Sequence, residues 1–215
     1  MSALTLVATP TDFGRPLVQA YRRLLGVPFA QRVMIGVLGP VLACGVCVVA
    51  NQPPAAGLLV WLLGVSVVSD LLWRRIFNWI TGPALLAVAV GQLVGLLRPD
   101  FVNRVALPDW ETSLAGFGVC FGLMLFLWFA FQGGEGDVKL IAVLGAVLGP
   151  RDGIEVAVAG YLLAAVVALG ILGVRLVRRA VGRSDPGRPF AAGTLPMAPF
   201  FALAALLIRP TLGGA

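Results

Sequence analysis

The sequence contains no histidine, and charged side chains make up only 12% of its 215 residues. Without imidazole, a Ser-His-Asp or Cys-His nucleophile, a His-ligated metal and a histidine pH switch are all excluded. Three cysteines cannot build a disulfide framework. Cys44 and Cys47 do form a C-x-x-C, but they sit one turn apart in an apolar run without two further ligands. They read as small packing residues, and no zinc site is expected. Acidic side chains are scarce, ten Asp and Glu against sixteen Lys and Arg. A soluble domain carries about 25% charged residues. Half that charge, with 59% hydrophobic residues and a mean hydropathy of +0.96, points to a membrane protein.

What is abundant is apolar sequence. Seven segments stand out, at 33–50, 56–73, 79–97, 112–131, 138–150, 153–174 and 190–208. Six have 18 to 22 residues, enough at about 1.5 Å per residue to cross a hydrocarbon core of about 30 Å. The fifth has 13 residues, so it must be short, deeply placed or tilted within the bundle. The runs are continuous and lack the alternation of barrel strands. The expected fold is an all-α polytopic membrane bundle of six to seven transmembrane helices, spanning about 31–210. Residues 1–30 precede it, and helical spacing of Leu17, Tyr21, Leu24 and Leu25 predicts an interfacial helix there.

With the N-terminus in the cytoplasm, twelve of the sixteen Lys and Arg fall on the cytoplasmic side and four outside. This positive-inside asymmetry sets the orientation. It also accounts for the isoelectric point near 10.2 through contact with anionic lipid headgroups, with no nucleic acid implied. The external loop 98–111 carries Trp110 as an interfacial anchor, and 175–189 reads as an Arg-, Gly- and Pro-rich cytoplasmic loop.

Two acids stand apart from those in loops. Asp70 lies near the end of the second span, and Asp137 closes Gly133-Gly134-Glu135-Gly136-Asp137 just before the short fifth span. An ionised Asp at mid-bilayer costs about 2.5–3.5 kcal/mol on insertion scales, so a membrane acid is a functional candidate by default. In the expected topology both acids reach the cytoplasmic boundary. Two carboxyls brought together there share a proton. One then serves as base on a water, and the other donates to a peptide carbonyl. That chemistry needs neither histidine nor metal. The glycines before Asp137 leave room for a second chain to approach. Simpler accounts remain open: Asp70 pairing with Arg74 four residues on, and Asp137 with Lys139 as a helix-start acid and a snorkelling lysine.

At these positions the chain resembles the type IV prepilin peptidases, membrane aspartyl proteases with a Gly-x-Gly-Asp signature. Three blocks carry the likeness: Gly134-Glu135-Gly136-Asp137-Val138-Lys139-Leu140 running on through Gly145 to Gly149-Pro150, Asp70-Leu71-Leu72-Trp73-Arg74-Arg75-Ile76-Phe77-Asn78, and Pro196-Met197-Ala198-Pro199-Phe200. Together they cover roughly residues 56–208. The resemblance implies that Asp70 and Asp137 are the catalytic pair, and that Gly134, Gly136, Lys139, Asn78 and Arg74 occupy recurrent supporting positions. It implies cleavage of a short basic leader from a prepilin or pseudopilin at the cytoplasmic membrane face of a bacterium or archaeon, with no cofactor.

Departures from the family pattern matter. Phe77 stands where the family has Pro, which predicts an altered turn after Asp70. Glu135 adds a third carboxyl. The first two spans are joined by five residues, Asn51 to Ala55, and the paired C-x-x-C domain of the larger, methylating members is absent. The pattern is that of the short, peptidase-only branch serving Flp/Tad-type pili. Two other classes of function are compatible with the same acids: a proton-coupled transporter or channel, and a non-catalytic scaffold of a pilus or secretion apparatus.

Overall fold

Proline and glycine punctuation divides the apolar sequence into helices of very different burial. In a computed structural model, residues 29–131, 134–181 and 195–208 are described. The interfacial helix expected near 16–25, Gly133, and most of the basic loop at 175–189 lie outside them. The described residues form eight helices: α1 (Phe29–Val49), α2 (Pro54–Trp73), α3 (Asn78–Leu97), α4 (Pro99–Val105), α5 (Trp110–Phe131), α6 (Glu135–Leu148), α7 (Pro150–Ala180) and α8 (Ala198–Ile208). Four of them, α2, α3, α5 and α7, are long and apolar enough to cross a membrane. The architecture is an all-helical membrane bundle.

The bundle is organised around α6. From Leu140 to Leu148 every residue of this helix is buried. A helix apolar on all sides belongs inside a protein, and its 14 residues span only about 21 Å. The short fifth segment is therefore a deeply placed core helix. It packs most extensively on α5, and also on α3 and α7. Around this core the outward faces stay apolar, with Leu86, Val90 and Leu93 of α3 and Leu162, Val166 and Leu169 of α7 exposed. Such a surface suits lipid.

Close backbone approach fixes the α5–α6 pair. A methyl group at Gly116 would run into the carbonyl oxygen of Gly145, and one at Gly145 would come within 2.6 Å of the Cys120 sulfur. Ser113 adds a buried hydrogen bond, its Oγ donating to the Ala146 carbonyl at 2.6 Å. The Gly145-x-x-x-Gly149 spacing thus serves close packing at its first glycine. Gly149 ends α6 at φ +88°, a conformation that only glycine adopts without strain. At the start of α5, Thr112 hydrogen bonds through its side chain and amide hold the Asp109 carboxyl below the usual carboxylate range. Cys44 packs at the α1–α2 junction, its thiol directed to the Pro54 carbonyl at 3.3 Å.

Three boundaries differ from expectation. The last helix begins at Ala198 and not near 190, because the residue before Pro196 is disfavoured in helix and Pro199 is tolerated only in a first turn. Its 11 residues reach about 16 Å, short of a full crossing. At the other extreme, α7 continues through Arg175 and Arg178 to Ala180; arginine is a good helix former, and cations suit a helix C-terminus. The segment 98–111 is no simple loop, since α4 occupies its first half and Leu107 is buried against the bundle. Trp110 opens α5 half-exposed.

Candidate active site

Asp70 occupies the last turn of α2 and is 7% exposed. The helix stops three residues later, where Arg74 takes the left-handed conformation (φ 51°) and its N–H closes on the Asp70 carbonyl. Ser69 then donates its hydroxyl to the Arg75 carbonyl at 2.6 Å, which folds the chain back toward α3. A buried carboxyl needs a partner, and α8 supplies it. The Ala198 N–H donates to Asp70 Oδ2 at 2.9 Å. First-turn amides of a helix have no intrahelical acceptor, and they carry the positive end of its dipole. The Pro-rich block thus delivers a helix N-terminus to Asp70.

Asp137 sits in the first turn of α6, beside Glu135. Both glycines before it face crowded space. A Cβ on Gly134 would lie 3.0 Å from Asp137 Oδ2, and one on Gly136 would lie 2.9 Å from the Ile76 Cβ. Gly136 therefore lets the turn bearing Asp137 settle onto the segment that follows Asp70, and Gly134 leaves room for the Asp137 carboxyl itself. A second tie joins the same two segments: Lys139 Nζ donates to Asn78 Oδ1 at 2.9 Å, at the exposed edge.

Phe77 completes this junction. It is the residue before α3, with extended backbone (φ −85°, ψ 146°). Its ring meets Trp73 edge-on and stacks on Trp79, both at 6.0 Å between centroids. The turn expected to change with loss of proline keeps a nearly proline-like φ, and aromatic packing takes over the stiffening.

These elements enclose a cavity of about 830 Å³. Asp70, Arg74, Asn78, Gly134, Gly136, Asp137 and Lys139, the residues singled out from sequence, all line it. Exposed Glu135 also lies on the wall. The two aspartates are near enough for the charge of Asp70 to act on Asp137. Among the described residues no three His, Cys, Asp or Glu side chains converge as metal ligands. Chemically, the cavity offers a carboxyl pair, flanking cations and an open approach for a chain.

A family model of the type IV leader peptidases matches residues 57–174, more than half of the chain. The chain belongs to the type IV leader peptidase family. The matched span runs from α2 to α7 and contains both Asp70 and Asp137; the Pro-rich block that reaches Asp70 from α8 lies beyond it. No curated protein and no solved structure matches the chain. Family membership makes this a multi-pass membrane protein of a leader peptidase family.

Two groups at the site, the amide that holds Asp70 and a tyrosine on the cavity wall, were given no role from the sequence. The Ala198 amide is a main-chain donor, which no side-chain pattern reveals. Tyr161 of α7 also lines the cavity. It is one of only two tyrosines in the chain, and its isolation in an apolar helix is the signal that marks it.

Proposed function

We propose that this peptidase is an aspartyl endopeptidase that removes the basic leader of a prepilin or pseudopilin, with Asp70 and Asp137 as its catalytic pair. The observation that carries this reading is the convergence of the two carboxyls, from helices far apart in the chain, on one cavity at one end of the bundle. The positive-inside distribution of Lys and Arg supports assigning that end to the cytoplasmic face, and the proposed substrate class implies the cell membrane of a bacterium or archaeon. Glu135 at the wall adds negative charge suited to a basic leader.

Two neighbouring carboxylates repel, so the pair holds one proton between them, and that proton belongs to the pair. The ionised member accepts a proton from water as the water oxygen bonds to the peptide carbonyl carbon. The protonated member gives its proton to the carbonyl oxygen. As the tetrahedral intermediate collapses, the C–N bond breaks and a proton passes from the pair to the departing amine. The short, peptidase-only layout corresponds to a function in Flp/Tad-type pilus assembly.

The test is co-expression with a small prepilin whose short basic leader ends in glycine, followed by the size of the pilin on a gel. Asp70→Asn and Asp137→Asn are each expected to abolish leader removal while still inserting in the membrane. Normal processing by both variants would sink the assignment. Acid-dependent proton flux in proteoliposomes without peptide cleavage would favour an ion relay in its place.

A further inference from the structure

Tyr161 has no place in the two-carboxyl scheme, yet its surroundings are built with care. Its ring meets Phe201 edge-on, with 5.4 Å between centroids and 79° between planes. Phe201 is fully buried and rests on Gly160, where any Cβ would collide with its ring. Phe201 lies one turn beyond Ala198, the residue whose amide holds Asp70. One short helix therefore fixes both the Asp70 carboxyl and the Tyr161 ring. The phenol lines the catalytic cavity, and Asp137 is close enough for its charge to act on it.

The other side-chain donors on the cavity wall are Asn78 and the cations Arg74, Arg75 and Lys139, of which Arg74 and Arg75 are exposed. Ser69 donates to the Arg75 carbonyl, and Lys139 donates to Asn78. The Tyr161 hydroxyl has no hydrogen-bond partner among the described residues. A carbonyl oxygen has two lone pairs, while the carboxyl pair supplies it with one proton. The second lone pair needs a donor as negative charge develops there.

The geometry points to Tyr161 as a third catalytic residue, whose hydroxyl donates a hydrogen bond to the carbonyl oxygen of the scissile peptide. The phenol keeps its proton throughout, so proton movement between water, carboxyls and leaving amine is unchanged. The inference rests on the peptidase reading above, and its test separates the two.

The full-length protein, reconstituted in lipid vesicles with a purified prepilin carrying a glycine-ended basic leader, gives kcat and KM. Tyr161→Phe keeps the ring on Phe201 and removes only the O–H. Loss of one such donor is expected to lower kcat by about 100-fold. Because the bond strengthens in the transition state, KM should stay within about threefold. Tyr161→Leu, which also loses the ring contact, should be at least as impaired. Wild-type kcat in Tyr161→Phe with impairment only in Tyr161→Leu would show a packing role and overturn the inference. A rise in KM alone would overturn it as well. In both cases inactive Asp70→Asn and Asp137→Asn would leave the peptidase reading standing, whereas active aspartate variants would remove both.

Discussion

At its C-terminal half, α6 carries Gly145 backbone-to-backbone against Gly116 of α5, with Cys120 and Ser113 closing the contact. At its first turn, Gly134 and Gly136 face the Asp137 carboxyl and Ile76, at the wall of a large cavity. Both regions need glycine because a side chain would not fit, but what occupies the space differs. In the buried half it is another helix, and the contact contributes to the fold. At the first turn it is a carboxyl and the segment following the other carboxyl, and under the proposed function the contact spaces the two catalytic groups. The comparison teaches that one helix separates a structural end from a chemical end within four turns, and the two should respond differently to the same kind of substitution.

The largest effect is expected at the structural end. Gly145→Val places branched carbon where the Gly116 carbonyl and the Cys120 sulfur already sit. The Gly116 carbonyl is helix backbone, tied nearby by the Ser113 bond to Ala146, and yields less readily than a side chain. Overpacking costs typically about 1–3 kcal/mol and occasionally more, and a backbone clash belongs at the upper end. Thermal unfolding in detergent should show a fall of roughly 2–4 °C per kcal/mol for a chain of this size, with lower membrane yield. Unchanged stability would mean that α5 and α6 pack less closely than described.

Gly136→Ala should separate activity from stability. The added methyl meets the Ile76 side chain at 2.9 Å and its main chain at 3.3 Å, so the Asp137 turn must lift from the segment after Asp70. Misplacing reacting groups by about 1 Å can cost about 100-fold in rate, while a contact at a cavity wall relaxes more cheaply than one in a core. The expected result is cleavage reduced by about 100-fold with a melting temperature close to wild type. Equal loss of stability in Gly136→Ala and Gly145→Val would erase the distinction between the two ends.

Much of this arrangement was legible in the sequence, for identifiable reasons. Long apolar runs read as helices because lipid leaves the backbone no other solution except a closed barrel. Asp70 and Asp137 stood out because a carboxyl near the end of an apolar segment is costly. The brevity of the fifth run foretold the depth of α6. The start of α8 was misplaced because apolar composition continues through 190–197 while Pro196 and Pro199 delay the helix. The donor to Asp70 was hidden because it is an amide, and Tyr161 because a lone phenol among Leu and Ala resembles packing until the cavity beside it is known.

Phe77 offers the smallest effect and the finest test of the junction between the two aspartate segments. Its φ of −85° lies just outside the range a proline ring holds, about −65 ± 15°. Its N–H donates no hydrogen bond among the described residues. Phe77→Pro, which restores the residue expected from the family resemblance, would stiffen the unfolded chain for a gain of about 0.4–1 kcal/mol. It would also lose two ring contacts, with Trp73 and Trp79, worth about 0.5–1.5 kcal/mol each when well placed. Centroid separations of 6.0 Å put both contacts toward the weaker end of that range. The balance is a net loss of about 1 kcal/mol or less, a shift of about 2–4 °C in thermal unfolding. Cleavage should be retained, because the extended backbone leading into Asn78 is preserved. Phe77→Ala, which loses the rings without gaining the proline, should fall further. A Phe77→Pro protein more stable than wild type would show that the aromatic contacts contribute little, and that backbone conformation alone holds the two segments in register.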